Sequence, residues 1–280
     1  MARSLLTNEV AQFDSEVKQA YQKSSILRGA IRVKTGVVGG THQFPTFGKG
    51  LATPRLPQTD VIPMNVQQDN VVATIEDWNA PEYTDIFDQQ KVNYSERAEL
   101  ATTIAMAIGR RQDQLILDAL TAQVTAGGIA GTSATSVMTV AKLTDIGEFF
   151  DDQGVPESER HLVWSPRAKK QMFADTTATS ADFNAMRVLQ NGKFDEYFGF
   201  TFHMIETRVE GGLVKTANDR FCFAFHGGQR GSTGLAVGID FRTTVDWIAE
   251  KTSWLSNGLF SAGSVVIDPL GIVSVIVDET

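Results

Sequence analysis

Residues 92–123 read VNYSERAELATTIAMAIGRRQDQLILDALTAQ, the longest unbroken helical pattern in the chain. Asn93 followed by Glu96 has capping-box spacing, and Val92 can act as the hydrophobic staple. Ala98, Ala101, Ile104, Ala105, Ile108, Leu115 and Ala119 then recur near a helical period. Such a helix runs roughly 40 Å, longer than the ordinary globular helix. Gly127 and Gly128 end it. A strict heptad fails across Arg110-Arg111-Gln112-Asp113, so the segment is expected to be a spine for sheets rather than a coiled-coil arm.

The remaining sequence is long enough to bury a sizeable core around that spine. Cys222 is the only cysteine, which excludes an intramolecular disulfide framework and a zinc-thiolate site. No apolar run is long enough to span a bilayer, and MARSLLTNEV lacks the apolar core of a secretory signal. The expectation is a protein made in the cytoplasm and left uncleaved. Residues 1–55 carry eight basic residues against three acidic, a net +5 that leaves −13 on the rest of a chain whose total is −8. A basic arm on an acidic body favours self-association, with one face near a polyanion as the alternative.

Residues 7–24 place Val10, Phe13, Val17 and Tyr21 on one face of a short amphipathic helix. Ile31, Val33 and Val37 alternate with Arg32, Lys34 and Gly36, as in a half-exposed strand. The stretch GGTHQFPTFGKGLATPRLPQTD is too rich in Gly and Pro for a helix or a central strand. The chain returns through strand-like 61–66 and 70–76, so 30–77 reads as a long two-stranded excursion with an irregular tip. A two-stranded ribbon is marginal alone, and Phe44, Phe47 and Leu51 need cover from the body or from another subunit.

Beyond the spine, 127–136 is a small-residue linker, 139–150 a second helix and 151–160 a polar turn. A short buried strand follows at 161–164, and Ser165-Pro166 starts another helix. Strands are expected at 200–206, 220–225 and from 235, with ambiguous extended segments at 241–245 and 247–250. The β-branched runs 262–267 and 272–277, separated by Asp268-Pro-Leu-Gly271, look like one hairpin.

Chemistry is sparse. His42, His161, His203 and His226 form no metal-ligand spacing, and the ordinary reading of His161 and His203 is a satisfied core or edge histidine. Gly227-Gly-Gln-Arg-Gly-Ser-Thr-Gly234 lacks the lysine of a phosphate loop and reads as a glycine-rich connection between strands, with Arg230 a weak candidate for a phosphate. No nucleophile elbow occurs, and Cys222 lies in Phe221-Cys-Phe-Ala-Phe225 as a small buried hydrophobe. No catalytic residue, cofactor site or metal site is nominated, and no nucleic-acid motif is present.

The order of these parts resembles the major capsid proteins of tailed double-stranded-DNA bacteriophages, whose fold is named after phage Hong Kong 97. Two local stretches carry the likeness further: Lys193-Phe-Asp-Glu-Tyr-Phe-Gly-Phe200, and Lys251 to Gly263 followed by Val265 to Val273. The resemblance implies an α+β fold with an N-terminal arm at 1–29 and an extended β-hairpin loop at 30–77. A peripheral domain with the spine helix would span 78–134, an axial domain 135–245, and peripheral return strands 246–280. It implies hexamers and pentamers in a closed icosahedral shell around double-stranded DNA contacted non-specifically. It also implies a virion protein made in the host bacterial cytoplasm, with no enzymatic role and no membrane. Because no long helical domain precedes the arm, a separate scaffolding protein is implied, together with a portal and a cement or decoration protein. Encapsulin-type compartment shells share the fold and are the alternative, as is a soluble oligomeric enzyme with a β-arm dimer clasp.

The expected contact sets Phe44, Phe47, Lys49, Leu51 and Arg55 of the ribbon, with Lys34, against Glu76, Asp77, Glu82, Asp85, Asp88 and Glu99 of an adjacent subunit. Gly36, Gly39 and Gly40 would let the ribbon swing.

Overall fold

The computed structural model describes residues 23–91, 95–125, 130–131, 136–175 and 196–280. The expected arm helix at 7–24, the Asn93 cap and the start of the Lys193 stretch lie outside them. In chain order the elements are β1 (Arg32–Thr35), β2 (Thr41–Phe47), β3 (Gln68–Thr74), β4 (Glu76–Asp85), α1 (Ile86–Gln89), α2 (Glu96–Thr125) and β5 (Ala130–Gly131). Then come α3 (Val140–Gln153), β6 (Arg160–Trp164), α4 (Pro166–Ala174), β7 (Glu196–Tyr197), β8 (Phe200–Met204), β9 (Lys215–Thr216), β10 (Asp219–His226), β11 (Thr233–Val237), β12 (Arg242–Ile248), β13 (Ser253–Val266) and β14 (Ile272–Asp278).

Two sheets and a ribbon organise these elements. The first sheet runs β1-β11-β13-β12, with β4 along the other side of β13. The second runs β5-β14-β10-β6-β8-β7, with β9 also on β10. Only β2 and β3 form the ribbon. The expected excursion at 30–77 is therefore shorter than its sequence suggests. β1 pairs in parallel with β11, and β4 pairs with β13, so both ends of that stretch belong to the first sheet.

The spine helix holds, with a different buried stripe. Its first hydrogen bonds go to the Ser95 carbonyl, from the amides of Ala98 and Glu99. Ile104, Ile108, Ile116, Leu117 and Leu120 are buried, while Ala98 and Ala101 are exposed. Ile104 and Ile108 lie over Gly258 of β13, where a Cβ would stand 2.4 Å from Ile104 Cγ2, so only glycine lets the helix sit this close. The heptad break has a physical cause: Gln112 and Asp113 are buried polar residues, and Arg111 stacks over Trp78 at 4.2 Å.

Local signals explain the shorter helices. Thr139 Oγ1 accepts from Lys142 N at the start of α3. Gly154, at φ 71°, closes α3, with Gly154 N donating to Asp151 O and Val155 N to Phe150 O. The helix thus continues through 151–153, where a polar turn is expected from sequence. In α4, Ser165 caps Ala168 N at 3.0 Å and Pro166 occupies the first turn. Leu143, Ile146 and Phe150 of α3 join Trp164, Phe200, Phe223 and Phe225 in the main core.

The expected C-terminal hairpin does not form. Runs 262–267 and 272–277 are not a hairpin: β13 pairs with β11, β12 and β4, whereas β14 pairs with β10. Asp268–Gly271 carries the chain from one sheet to the other, with Asp268 Oδ1 accepting from Leu270 N at 3.0 Å. β11 and β12 lie in the first sheet although they fall mostly within 135–245, and β14 lies in the second although it falls within 246–280.

Candidate assembly surface

Alternation along β2 and β3 separates the ribbon into a face on the body and a face on solvent. His42, Phe44 and Thr46 face inward on β2, opposite Val71 and Ala73 of β3. Phe44 is 1% exposed, buried by Ala73, Ala236 and Ile267 with Val37, Ile75 and Val265 around it. The expectation that Phe44 waits for a neighbouring subunit is thus wrong: its own chain covers it. Phe44 and Phe47 are three residues apart, so a strand sends them to opposite faces, and Phe47 stands 70% exposed. The Gly- and Pro-rich composition is expected to exclude a helix or a central strand, and Thr41–Phe47 is an edge strand. Pro45 is tolerated because β2 pairs on one side only.

Beyond the last ribbon pairing, where Gly48 N donates to Gln67 O at 2.8 Å, the chain carries no strand. The expected strand at 61–66 is absent, and the tip holds a turn in which Thr59 Oγ1 donates to Leu56 O. Leu51 is 83% exposed, and Leu56, Val61, Ile62 and Met64 are exposed beside it. Lys49 and Arg55 are exposed among them. The sequence reading picked out Leu51 and missed the other four, although each is a large apolar residue in a stretch with no periodicity to hide it.

The acidic candidates divide into free and occupied groups. Glu76, Asp77 and Glu82 are exposed on β4, which pairs with β13 along its whole length and with no other described strand. Asp85 accepts from Phe87 N at 2.8 Å and caps α1. Asp88 pairs with Lys91 at 2.7 Å, and that hydrogen bond holds the lysine above its usual pKa. Glu99 is half-buried in the first turn of α2. The three glycines proposed as a hinge sit in a tied turn. Gly36 (φ 70°) and Gly39 (φ 107°) adopt left-handed backbone, Val37 N donates to Val237 O, and Gly40 O accepts from Ile75 N.

A second feature that the sequence reading missed lies under the middle of α2. Asp113 is fully buried, and its carboxylate accepts from Ser25 Oγ (2.8 Å), Ile26 N (3.1 Å), Leu27 N (3.1 Å) and Arg208 (2.8 Å). Burial pushes its pKa up, against the pull of Ser25, the Leu27 and Ile26 amides and Arg208. Gln114 Oε1 accepts from Gly211 N, and Glu210 pairs with Arg111 at 2.9 Å. One turn of the spine therefore holds both the entering chain and the 206–211 loop of the second sheet.

The histidines and the cysteine behave as structural groups. His203 Nε2 lies 3.1 Å from His161 Nδ1, and burial with the nearby His203 and His226 lowers His161 to about 4. Burial pushes the Cys222 thiol up to about 12. The glycine-rich connection 227–234 leads directly into β11 rather than a helix, and Gly227 packs against the Ala30 carbonyl. Among the described residues no cluster of three ligating side chains forms a metal site, and no helix is long and apolar enough to cross a membrane.

A family model described as "Phage capsid protein" matches residues 5–279. No curated protein sequence matches. Among solved structures, the capsid of cyanophage P-SCSP1u is similar with a TM-score of 0.74 at 16% identity, over 98% of this chain and 94% of that one. The acidic stable capsid of Helicobacter pylori bacteriophage KHP30 gives 0.74 at 10% identity, over 100% and 99% of the two chains. The capsid of Ralstonia phage GP4 gives 0.72 at 10% identity, over 100% and 98%.

Proposed function

The chain belongs to the phage capsid protein family, and from that premise we propose that its ribbon tip is the part that joins one subunit to the next in a closed shell. It is a structural protein of the virion with the α+β Hong Kong 97-type fold, and not an enzyme. Membership in a phage capsid family disfavours the encapsulin and enzyme-clasp alternatives. In our reading the first sheet with α2 corresponds to the peripheral domain and the second sheet with α3 and α4 to the axial domain. Hexamers and pentamers of the chain would close an icosahedral shell around double-stranded DNA.

The observation that carries the proposal is the exposed apolar tip: Phe47, Leu51, Leu56, Val61, Ile62 and Met64 stand 57–83% exposed among the described residues. Removing such side chains from water contributes roughly 25 cal/mol per Å², so the tip supplies most of the contact energy. Lys49 and Arg55 would meet Glu76, Asp77 and Glu82 of the neighbour, with Asp85, Asp88 and Glu99 as more occupied members of the same acidic surface. Exposed pairs of this kind set orientation more than affinity. A separate scaffolding protein, a portal, a cement or decoration protein, and synthesis in the host bacterial cytoplasm complete the proposal.

The test replaces residues 49–66 with a short Gly-Ser linker and examines the product by negative-stain microscopy. Folded, soluble protomers without closed particles are expected. Closed particles of normal size would sink the assignment of the tip.

A further inference from the structure

We infer that Phe44 is the positioning residue that sets where the ribbon points, so that the ribbon bends beyond Phe47 and not at the glycines of its base. This rests on the reading of the tip as an intersubunit contact. The base of the ribbon is bolted to the first sheet from three sides. The Phe44 ring fills a pocket whose floor is Gly234, where a Cβ would stand 2.8 Å from both Phe44 Cζ and Ile267 Cδ1. His42 packs edge-on against the same ring at 4.7 Å, and the Arg32 guanidinium lies 5.4 Å from its centroid. On the returning strand, the Thr74 carbonyl crosses so close to Gly263 of β13 that a Cβ there would lie 1.8 Å from it.

The turn at 36–40 adds two more ties. Val37 N donates to Val237 O at 3.0 Å, and Ile75 N donates to Gly40 O at 2.9 Å. A swing about Gly36 would break the Val37–Val237 bond, and a swing about any of Gly36, Gly39 or Gly40 would draw Phe44 out of its pocket. Farther out, residues 47–65 are all exposed. A groove of about 470 Å³ opens between Phe47, Gly48 and Gln67 of the ribbon and Ile267, Asp268 and Leu270 of the body. The ribbon consequently has a fixed half, 41–47 with 68–74, and an adaptable half, 48–67. The fixed half aims the tip, and the adaptable half fits it to the surface it meets.

Three variants test this: Phe44→Ala, which empties the pocket; Gly234→Ala, which fills it and expels the ring; and Phe44→Leu, which keeps an apolar plug. Amide hydrogen exchange is read in β2 and β3, with β10 and β14 as internal controls of folding, and particles are imaged. In Phe44→Ala and Gly234→Ala, ribbon amides should exchange at least tenfold faster with the controls unchanged, and closed particles should give way to open or irregular ones. Phe44→Leu should restore most of both.

Unchanged ribbon exchange in the two disruptive variants overturns the inference. So does an equal rise in β10 and β14, which would make Phe44 ordinary core. Loosened ribbons that still close normal shells also overturn it. Should either disruptive variant fail to fold, the other and Phe44→Leu give the same readouts. The linker replacement of 49–66 separates the two ideas: closed shells from that variant remove the tip reading itself, whatever the Phe44 variants do.

Discussion

The ribbon tip and the joint under the spine helix treat awkward side chains in opposite ways. At the joint, a buried aspartate is surrounded by a hydroxyl, two backbone amides and an arginine, all from the same chain. At the tip, six large apolar side chains stand more than half exposed among the described residues. An unpaired buried charge and a bare apolar cluster are both unfavourable. The protomer resolves the first internally and leaves the second open. This contrast separates the part of the chain that satisfies itself on folding from the part that the proposed function assigns to contacts between copies.

The contrast can be broken by substitution, and the largest effect on folding belongs to the joint. Asp113→Ala should cost about 1–3 kcal/mol, because it leaves two buried amides unpaired while Arg208 keeps only Glu206 and the Gly211 carbonyl. Denaturant unfolding of the protomer measures it, and a loss below about 1 kcal/mol would show that the joint is dispensable.

Acidification comes next and acts on the histidines beside the joint. Burial lowers His161 from 6.5 to about 4, and also lowers His203 and His226. The folded state therefore holds these protons less tightly than the unfolded chain does. Their stabilising effect is complete above 6.5 and is lost as pH falls toward about 4. Asp113, raised by burial, titrates in the opposing sense and softens the trend. Urea midpoints across this window should fall with pH in the wild type and fall less in His161→Gln.

Smaller still is the Arg28–Asp240 pair, 2.6 Å apart with side chains 36% and 52% exposed. Its hydrogen bond raises the arginine and lowers the aspartate, yet Asp240→Asn should change stability by only about 0–1 kcal/mol. The change should shrink further in high salt. Smallest of all is the tip: Leu51→Ser or Ile62→Ser should leave protomer stability within about 0.5 kcal/mol while lowering particle yield. A tip substitution that destabilises the protomer as much as Asp113→Ala would erase the contrast between the two regions.

Much of this was readable from residues close together in sequence. Thr139, Ser165-Pro166 and Gly154 mark helix ends by local hydrogen bonding, and the long spine announces itself by length. Elements whose partners are distant were harder to read. Asp113 looked like an interruption of an apolar pattern because Ser25 and Arg208, which satisfy it, lie 88 and 95 residues away. Phe44 looked uncovered because its pocket is built from Gly234, Ala236, Val265 and Ile267. The runs ending in β13 and beginning β14 are both rich in β-branched residues, and composition does not say which sheet each joins. At the tip, Leu56, Val61, Ile62 and Met64 went unread because their stretch has no periodicity that assigns a face.

Two of the passages between the sheets, from β10 to β11 and from β13 to β14, run side by side. The Ser232 carbonyl accepts from both Ile267 N and Asp268 N, at 2.7 and 3.1 Å. Two straps fastened to each other resist torsion far better than one. One core also runs beneath them, from Leu235, Phe260 and Ala262 of the first sheet to Phe223, Ile272 and Val275 of the second, so the two sheets of a subunit keep a fixed setting.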